Sequence, residues 1–136
     1  MAKKSQETQQ KPKRNRRGAA ARRKGNAYEV QIAKELTDLG FDCVTSRKES
    51  KSTDDNKIDI IDKSNKLPCS IQLKKTQTIP QYFKIRSEST VDPSKFVIIW
   101  NKQVAKDINV CSAGEMVMMD KSLFYELIKP YINGEG

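Results

Sequence analysis

The stretch Lys57–Lys75, KIDIIDKSNKLPCSIQLKK, constrains the fold more than any other part of the chain. It holds two short apolar runs separated by turn residues, the pattern of two strands rather than of a helix. The first run, Lys57–Asp62, carries Asp59 between isoleucines. The second, Cys69–Lys75, is opened by Pro68 and carries Gln72 and Lys74 two residues apart, with Ser64-Asn65-Lys66 as the turn. Side chains alternate faces along a strand, so Gln72 and Lys74 point the same way. If the strands pair as a hairpin, Asp59 sits beside them. One carboxylate, one amide oxygen and one ammonium then surround a single point. Such a group can bind a divalent cation through oxygen and hold a phosphate next to it. Asp54, Asp55 and Asp62 compete with Asp59. The first two fall in a polar loop and Asp62 ends the strand, so all three read as ordinary solvated acids.

Charge divides the chain in two. The first 24 residues hold ten Lys or Arg against one acid, Glu7, and so account for the whole net charge of +9. The other residues balance. That segment, 1–24, has no apolar periodicity and reads as a basic arm, disordered in isolation, whose Arg14, Arg16, Arg17, Arg22, Arg23 and Lys24 add salt-sensitive attraction to nucleic acid. It has no apolar core of the secretory kind, and no apolar run in the chain approaches the ~20 residues of a membrane span. The expectation is an intracellular, cytoplasmic protein with no membrane partner. Histidine is absent, and the three cysteines (Cys43, Cys69 and Cys111) are far apart. A Cys/His zinc site and any chemistry needing an imidazole base are thereby set aside. Each cysteine lies in or beside an apolar segment, which points to core packing in a reducing compartment.

At 136 residues there is room for one domain with a modest core, expected over 25–131, with 132–136 as a loose tail. A helix is expected from about Ala27 to Leu39, closed by Gly40, with Tyr28, Ile32, Leu36 and Leu39 on its apolar face. Glu29 projects near that face. It reads equally as a capping-box partner of Asn26 and as a site carboxylate. Phe41–Thr45 reads as a strand, and Ser46–Asn56 as a polar loop. In that loop Arg47, Lys48 and Lys51 suit phosphate contacts, and Ser46, Ser50, Ser52 and Thr53 suit hydrogen bonds to them. Gln81–Ile85 reads as a short helix packing Tyr82, Phe83 and Ile85. Thr76, Gln77, Gln81, Lys84 and Arg86 suit the wall of a DNA groove. Phe96–Trp100, FVIIW, reads as a central strand buried on both faces. Val104–Val110 is ambiguous, Glu115–Met119 reads as a strand, and Asp120 caps a last helix, Lys121–Lys129, with Leu123, Phe124 and Leu127 inward. The order of elements gives an α/β fold, a central mixed sheet flanked by helices.

These features together resemble the PD-(D/E)xK nuclease superfamily, and within it the Holliday-junction resolvases of the archaeal type. The resemblance rests on Arg23-Lys24-Gly25-Asn26-Ala27 with Glu29, on Leu39-Gly40-Phe41, on the serine-containing basic loop leading to Asp59, and on Gln72-Leu73-Lys74 thirteen residues later. It covers about Arg22 to Lys75. Two positions depart from the pattern: Ile58 stands where the family has Pro, and Gln72 where it has an acid. A QxK variant is similar to what Mrr-like nucleases carry. The resemblance implies a restriction-endonuclease-like core. It also implies Mg²⁺ (or Mn²⁺) held by Asp59, Gln72 and the Leu73 carbonyl, with Glu29 reaching the metal directly or through water. Lys74 would orient the attacking water or stabilise the transition state, and Lys75, Ser50 and Ser52 would contact DNA. It further implies a homodimer acting on branched or junction DNA in recombination, in a host's cytoplasm if the chain is phage-encoded. Two other readings remain open: an Mrr-like or phage-type nuclease of ordinary duplex, and a DNA-binding protein that has kept the fold and lost the chemistry through Gln72.

Overall fold

A computed structural model describes residues 25–46 and 58–133. Residues 25–39 are helical (α1), followed by β1 (Cys43–Thr45), β2 (Ile60–Asp62), β3 (Ser70–Thr76), α2 (Tyr82–Ser87), β4 (Phe96–Lys106), β5 (Asn109–Met119) and α3 (Lys121–Ile128). Single 3-10 turns occupy Pro93–Lys95 and Lys129–Asn133. The architecture is mixed α/β. β1 and β2 form a two-stranded antiparallel sheet, and β3, β4 and β5 form a mixed sheet in that order. β3 and β4 run parallel, joined by the crossover that contains α2, and β4 and β5 form an antiparallel hairpin. Among the described residues no helix is long and apolar enough to cross a membrane.

Strand alternation divides the core. Ile71 and Leu73 of β3 face α1 and pack with Tyr28, Ile32, Ala33, Cys43 and Ile60. On the opposite face Phe96, Ile98 and Trp100 of β4 pack with Ile58 and with Tyr82 of α2. Phe96 and Ile98 are fully buried, and each such side chain contributes about 1.5–3 kcal/mol by leaving water. Gln72 pairs with Ile98 and Lys74 with Trp100 in the β3–β4 register, which puts Gln72 and Lys74 together on the α2 face.

The Tyr82 hydroxyl donates to the Phe96 carbonyl at 2.6 Å and so ties α2 to the first residue of β4. Tyr82→Phe leaves that carbonyl without the bond in a buried setting, and should cost about 1 kcal/mol. In urea titrations the midpoint should fall with an unchanged slope. An unchanged midpoint would show that the bond contributes nothing.

Several sequence expectations are corrected by packing. The 57–75 stretch does not form a hairpin: β2 pairs with β1, Cys43 opposite Asp62, and β3 pairs with β4. The reason is a wide turn wound around the Asp62 carboxylate, which accepts the backbone N–H of Ser64, Lys66 and Leu67 and carries the chain away from β2. α1 begins before Ala27, since Gly25 and Asn26 are already helical, so Asn26 is not its cap. Gly40, at φ 123, closes the helix in a backbone region that suits glycine. Leu39 has the right angular position, but the last turn leaves it 76% exposed. Phe83 and Phe124 are also exposed, as is Cys111 on the edge strand β5, so the core cysteine reading fails there. The ambiguous segment is the hairpin between β4 and β5, turned at Asp107 and Ile108 with Asp107 at φ 57. Asp120 does cap α3, accepting from the Ser122 N–H, and Leu123 is buried beneath it.

Candidate active site

β3 is an edge of its sheet, and the residues just before β2 lie along that edge. The Asp59 N–H donates to the Ile71 carbonyl at 2.9 Å. The Leu73 N–H donates to Asp59 Oδ2 at 2.7 Å, which fixes the carboxylate against the strand. In an extended strand the N–H and C=O of one residue project to the same edge, so the Leu73 carbonyl also faces Asp59. Ser46 holds the other side: it is fully buried, and its N–H donates to the Asp59 carbonyl at 2.9 Å. Burial takes Ser46 out of the role of a phosphate contact.

A cavity of about 170 Å³ opens at this edge, lined by Gly25, Tyr28, Glu29, Asp59, Gln72, Leu73 and Lys75. Three of the expected site side chains, Glu29, Asp59 and Gln72, therefore share one cavity with Leu73. Glu29 comes from the first turns of α1 and is 4% exposed. With Asn26 inside the helix, the capping-box reading of Glu29 has no cap to serve. Gln72 is buried as well, and its Oε1 has no hydrogen-bond partner among the described residues. An amide oxygen left so costs about 1–3 kcal/mol. An atom of this kind, on a residue that shares a cavity with two carboxylates, suits a ligand that accepts lone pairs.

The donors are all oxygen: two carboxylates, one amide and one backbone carbonyl. That set fits a hard divalent cation such as Mg²⁺ or Mn²⁺ and does not fit zinc. It carries less charge than a site of three acids, and among the described residues no three Asp, Glu, Cys or His side chains cluster as a metal site.

The lysine doublet is divided by the strand. Lys75 lines the cavity, its Nζ 5.8 Å from the centre of the Tyr28 ring. Lys74, half-buried, lines an adjoining groove with Thr76, Gln77, Thr78, Pro80 and Ile85. The Tyr28 hydroxyl donates to Glu115 Oε2 on β5 at 2.7 Å. Burial, and then that bond to a carboxylate, push the phenol well above its ordinary range, so it stays a neutral donor. This contact anchors the turn of α1 that carries Glu29. Sequence reading missed Lys75 as a cavity residue and, though it placed Tyr28 on the apolar face of the helix, missed its bond to Glu115. The doublet itself was the available signal for Lys75, since adjacent residues on an edge strand flank whatever lies at that edge.

Of the other expected contacts, Gln81 and Lys84 are exposed on the α2 side. Arg86 is engaged with Asp120 at 3.2 Å and lies over the Phe83 ring, so it is not offered to a ligand. Asp62 is not a solvated acid: it is buried and accepts from Asp42, Ser64, Lys66 and Leu67. Arg14, Arg16, Arg17, Arg22, Arg23, Lys24, Arg47, Lys48, Ser50, Lys51, Ser52, Thr53, Asp54 and Asp55 lie outside the described residues. Comparison with family models, with curated proteins and with solved structures gives no match.

Proposed function

We propose that this chain is a metal-dependent DNA endonuclease, selective for branched DNA in the manner of a Holliday-junction resolvase, built on a restriction-endonuclease-like core of the PD-(D/E)xK kind. One observation carries the reading: the cavity at the β3 edge gathers Glu29, Asp59 and Gln72, with a buried Gln72 oxygen that has no partner among the described residues. Asp59, Gln72 Oε1 and the Leu73 carbonyl, with Glu29, would hold Mg²⁺ or Mn²⁺. Once bound, such an ion polarises a phosphodiester oxygen as a Lewis acid. The chain's own groups do the rest. The Leu73 N–H keeps the Asp59 carboxylate oriented. Glu29 accepts hydrogen bonds from the attacking water and directs it at phosphorus. Lys75 at the cavity, and Lys74 at the QxK position beside it, meet the negative charge that builds on the phosphate. Symmetric cutting of a junction calls for a two-fold homodimer, and the net +9 of the first 24 residues favours nucleic acid as the partner.

The test is cleavage of a labelled four-way junction and a matched linear duplex with Mg²⁺, Mn²⁺ or EDTA. Paired, metal-dependent nicks on the junction alone are expected. Equal cutting of both substrates would move the reading to an Mrr-like or phage-type duplex nuclease. Tight binding without cutting under any metal would leave a DNA-binding protein on a nuclease fold.

Gln72→Glu provides a separate check on the cation. A third carboxylate in the cavity repels the other two without metal and binds the ion more strongly with it. Half-saturation by Mg²⁺ should fall on the order of tenfold. In parallel, Tm should drop in EDTA and recover with Mg²⁺ by mass action. Equal Mg²⁺ dependence in the two proteins would place the cation elsewhere.

A further inference from the structure

The groove that Lys74 lines is larger than the reaction cavity, about 350 Å³ against about 170 Å³. It lies within the size range of ligand sites. Gln72 borders the cavity and Lys74 the groove, two residues apart on one strand face. That separation is about 7 Å at the usual strand rise. On a nucleic-acid strand it corresponds to about two stacked steps at about 3.4 Å each, or to one step where the strand is drawn out of its stack.

The lining chemistry is divided. Pro80 and Ile85 give one apolar wall, and Lys74, Thr76, Gln77 and Thr78 give polar groups, with no carboxylate among the six. The Thr76 hydroxyl is already engaged: it donates to the Thr78 carbonyl at 2.8 Å and accepts from Trp100 Nε1 at 3.1 Å. Those bonds shape the rim rather than read a ligand. Lys102 adds a second ammonium at the rim, donating to the Gln77 carbonyl and lying 5.8 Å from the centre of the Trp100 ring. α2, which supplies Ile85, has no acid in its first turn. The groove is thus cationic and uncharged by any acid of its own, with an apolar wall for a sugar or a base.

We propose that this groove holds the nucleotide adjoining the scissile phosphate: its phosphate against Gln77 and Thr78, with the Lys74 ammonium between it and the scissile phosphate, and its sugar and base against Pro80 and Ile85. The inference rests on the nuclease reading and adds to it the path of the strand beyond the cavity. A base seated on that wall has left the duplex stack, which is least costly at a branch point, where pairing is already interrupted. The groove then supplies part of the preference for branched DNA.

Thr78→Asp tests this on the full chain. Thr78 is exposed, so the change does not disturb the core, and Leu39→Asp adds the same charge at the far end of α1 as a control. Binding is measured in EDTA with a junction carrying 2-aminopurine stepped one position at a time from the branch point, across the cut where there is one. In the wild-type protein, fluorescence should rise at one position beside the cut and not on linear duplex. Thr78→Asp should abolish that rise and weaken junction binding on the order of tenfold, while Leu39→Asp changes neither. Thr78→Asp binding like wild type, or 2-aminopurine remaining dark beside the cut, would overturn the groove assignment even where wild-type cleavage stands. Absence of wild-type cleavage with every metal, while 2-aminopurine still brightens at one position near the branch point and Thr78→Asp abolishes it, would instead overturn the nuclease reading and keep the groove as a nucleotide site.

Discussion

Asp59→Asn should lower metal-dependent junction cleavage on the order of 10³-fold, about 4 kcal/mol of transition-state stabilisation at 1.4 kcal/mol per decade, with the fold unchanged. The substitution is chosen for what it preserves. Asp59 Oδ2 accepts the Leu73 N–H at 2.7 Å, and an asparagine oxygen can accept the same bond. The backbone links of Asp59 to Ile71 and Ser46 do not involve the side chain. What is lost is one negative charge in a cavity that has only two expected carboxylate ligands, Glu29 and Asp59. Alanine is the poorer test, because it leaves the Leu73 N–H unpaired at a cost of about 1–3 kcal/mol and mixes stability with chemistry. DNA binding in EDTA should hold or tighten, since a charge that repels phosphate has been removed. Wild-type cleavage by Asp59→Asn would remove Asp59 from the chemistry, and the assignment of this cavity as the active site with it.

The lysines are compared in the same assay. β3 presents Lys74 and Lys75 to opposite faces: Lys75 lines the cavity with Asp59, and Lys74 lines the groove with Thr76 and Ile85. The QxK spacing selects Lys74, whereas the cavity lining selects Lys75. Both follow from one period-two rule, applied in the first case to a strand face and in the second to a strand edge.

The sequence was most legible where local chemistry decides. The order of helix and strands follows from periodicity and from punctuation such as Gly40 and Asp120. The meeting of Glu29, Asp59 and Gln72 was expected through a hairpin that does not form and, for Glu29, through the family resemblance, so spacing alone did not establish it. Partner choice between strands was not legible. Nothing in IDIID or SIQLK says that β2 will take β1 and leave β3 to β4. That outcome depends on a turn closed by a side chain, Asp62, whose bonds reach backbone groups as far as twenty positions away at Asp42. The Tyr28–Glu115 bond spans 87 positions and has no local signature. Leu39, Phe83 and Phe124 were misjudged for one reason: helical phase predicts direction, and burial also needs an element lying in that direction.

Asp62 carries the second large effect, on stability. Burial alone would raise its carboxyl. The Ser64 hydroxyl and the backbone N–H groups of Asp42, Lys66 and Ser64 outweigh that and hold it well below the usual carboxylate range. A folded pKa below the unfolded value of about 3.9 means that the unfolded chain binds the proton first as acid is added. The stabilisation is therefore fully present above that value and is lost as pH falls through it toward the folded pKa. Asparagine cannot substitute here. Oδ1 accepts from Asp42, from the Ser64 N–H and from the Ser64 hydroxyl, and Oδ2 accepts from Lys66 and Leu67. Either orientation of an amide turns its NH₂ toward N–H donors. Asp62→Asn and Asp62→Ala should both lower Tm on the order of 10 °C at pH 7. The gap to wild type should narrow steadily below about pH 4, because protonation removes from the wild-type protein what the substitution removes at every pH. Thermal melts across pH 2–8 read both effects. A gap that stays constant into acid would mean that the carboxylate's charge plays no part in holding the turn. No gap at neutral pH would mean that the 62–67 turn closes without it, and the account of why β2 pairs with β1 rather than β3 would fail.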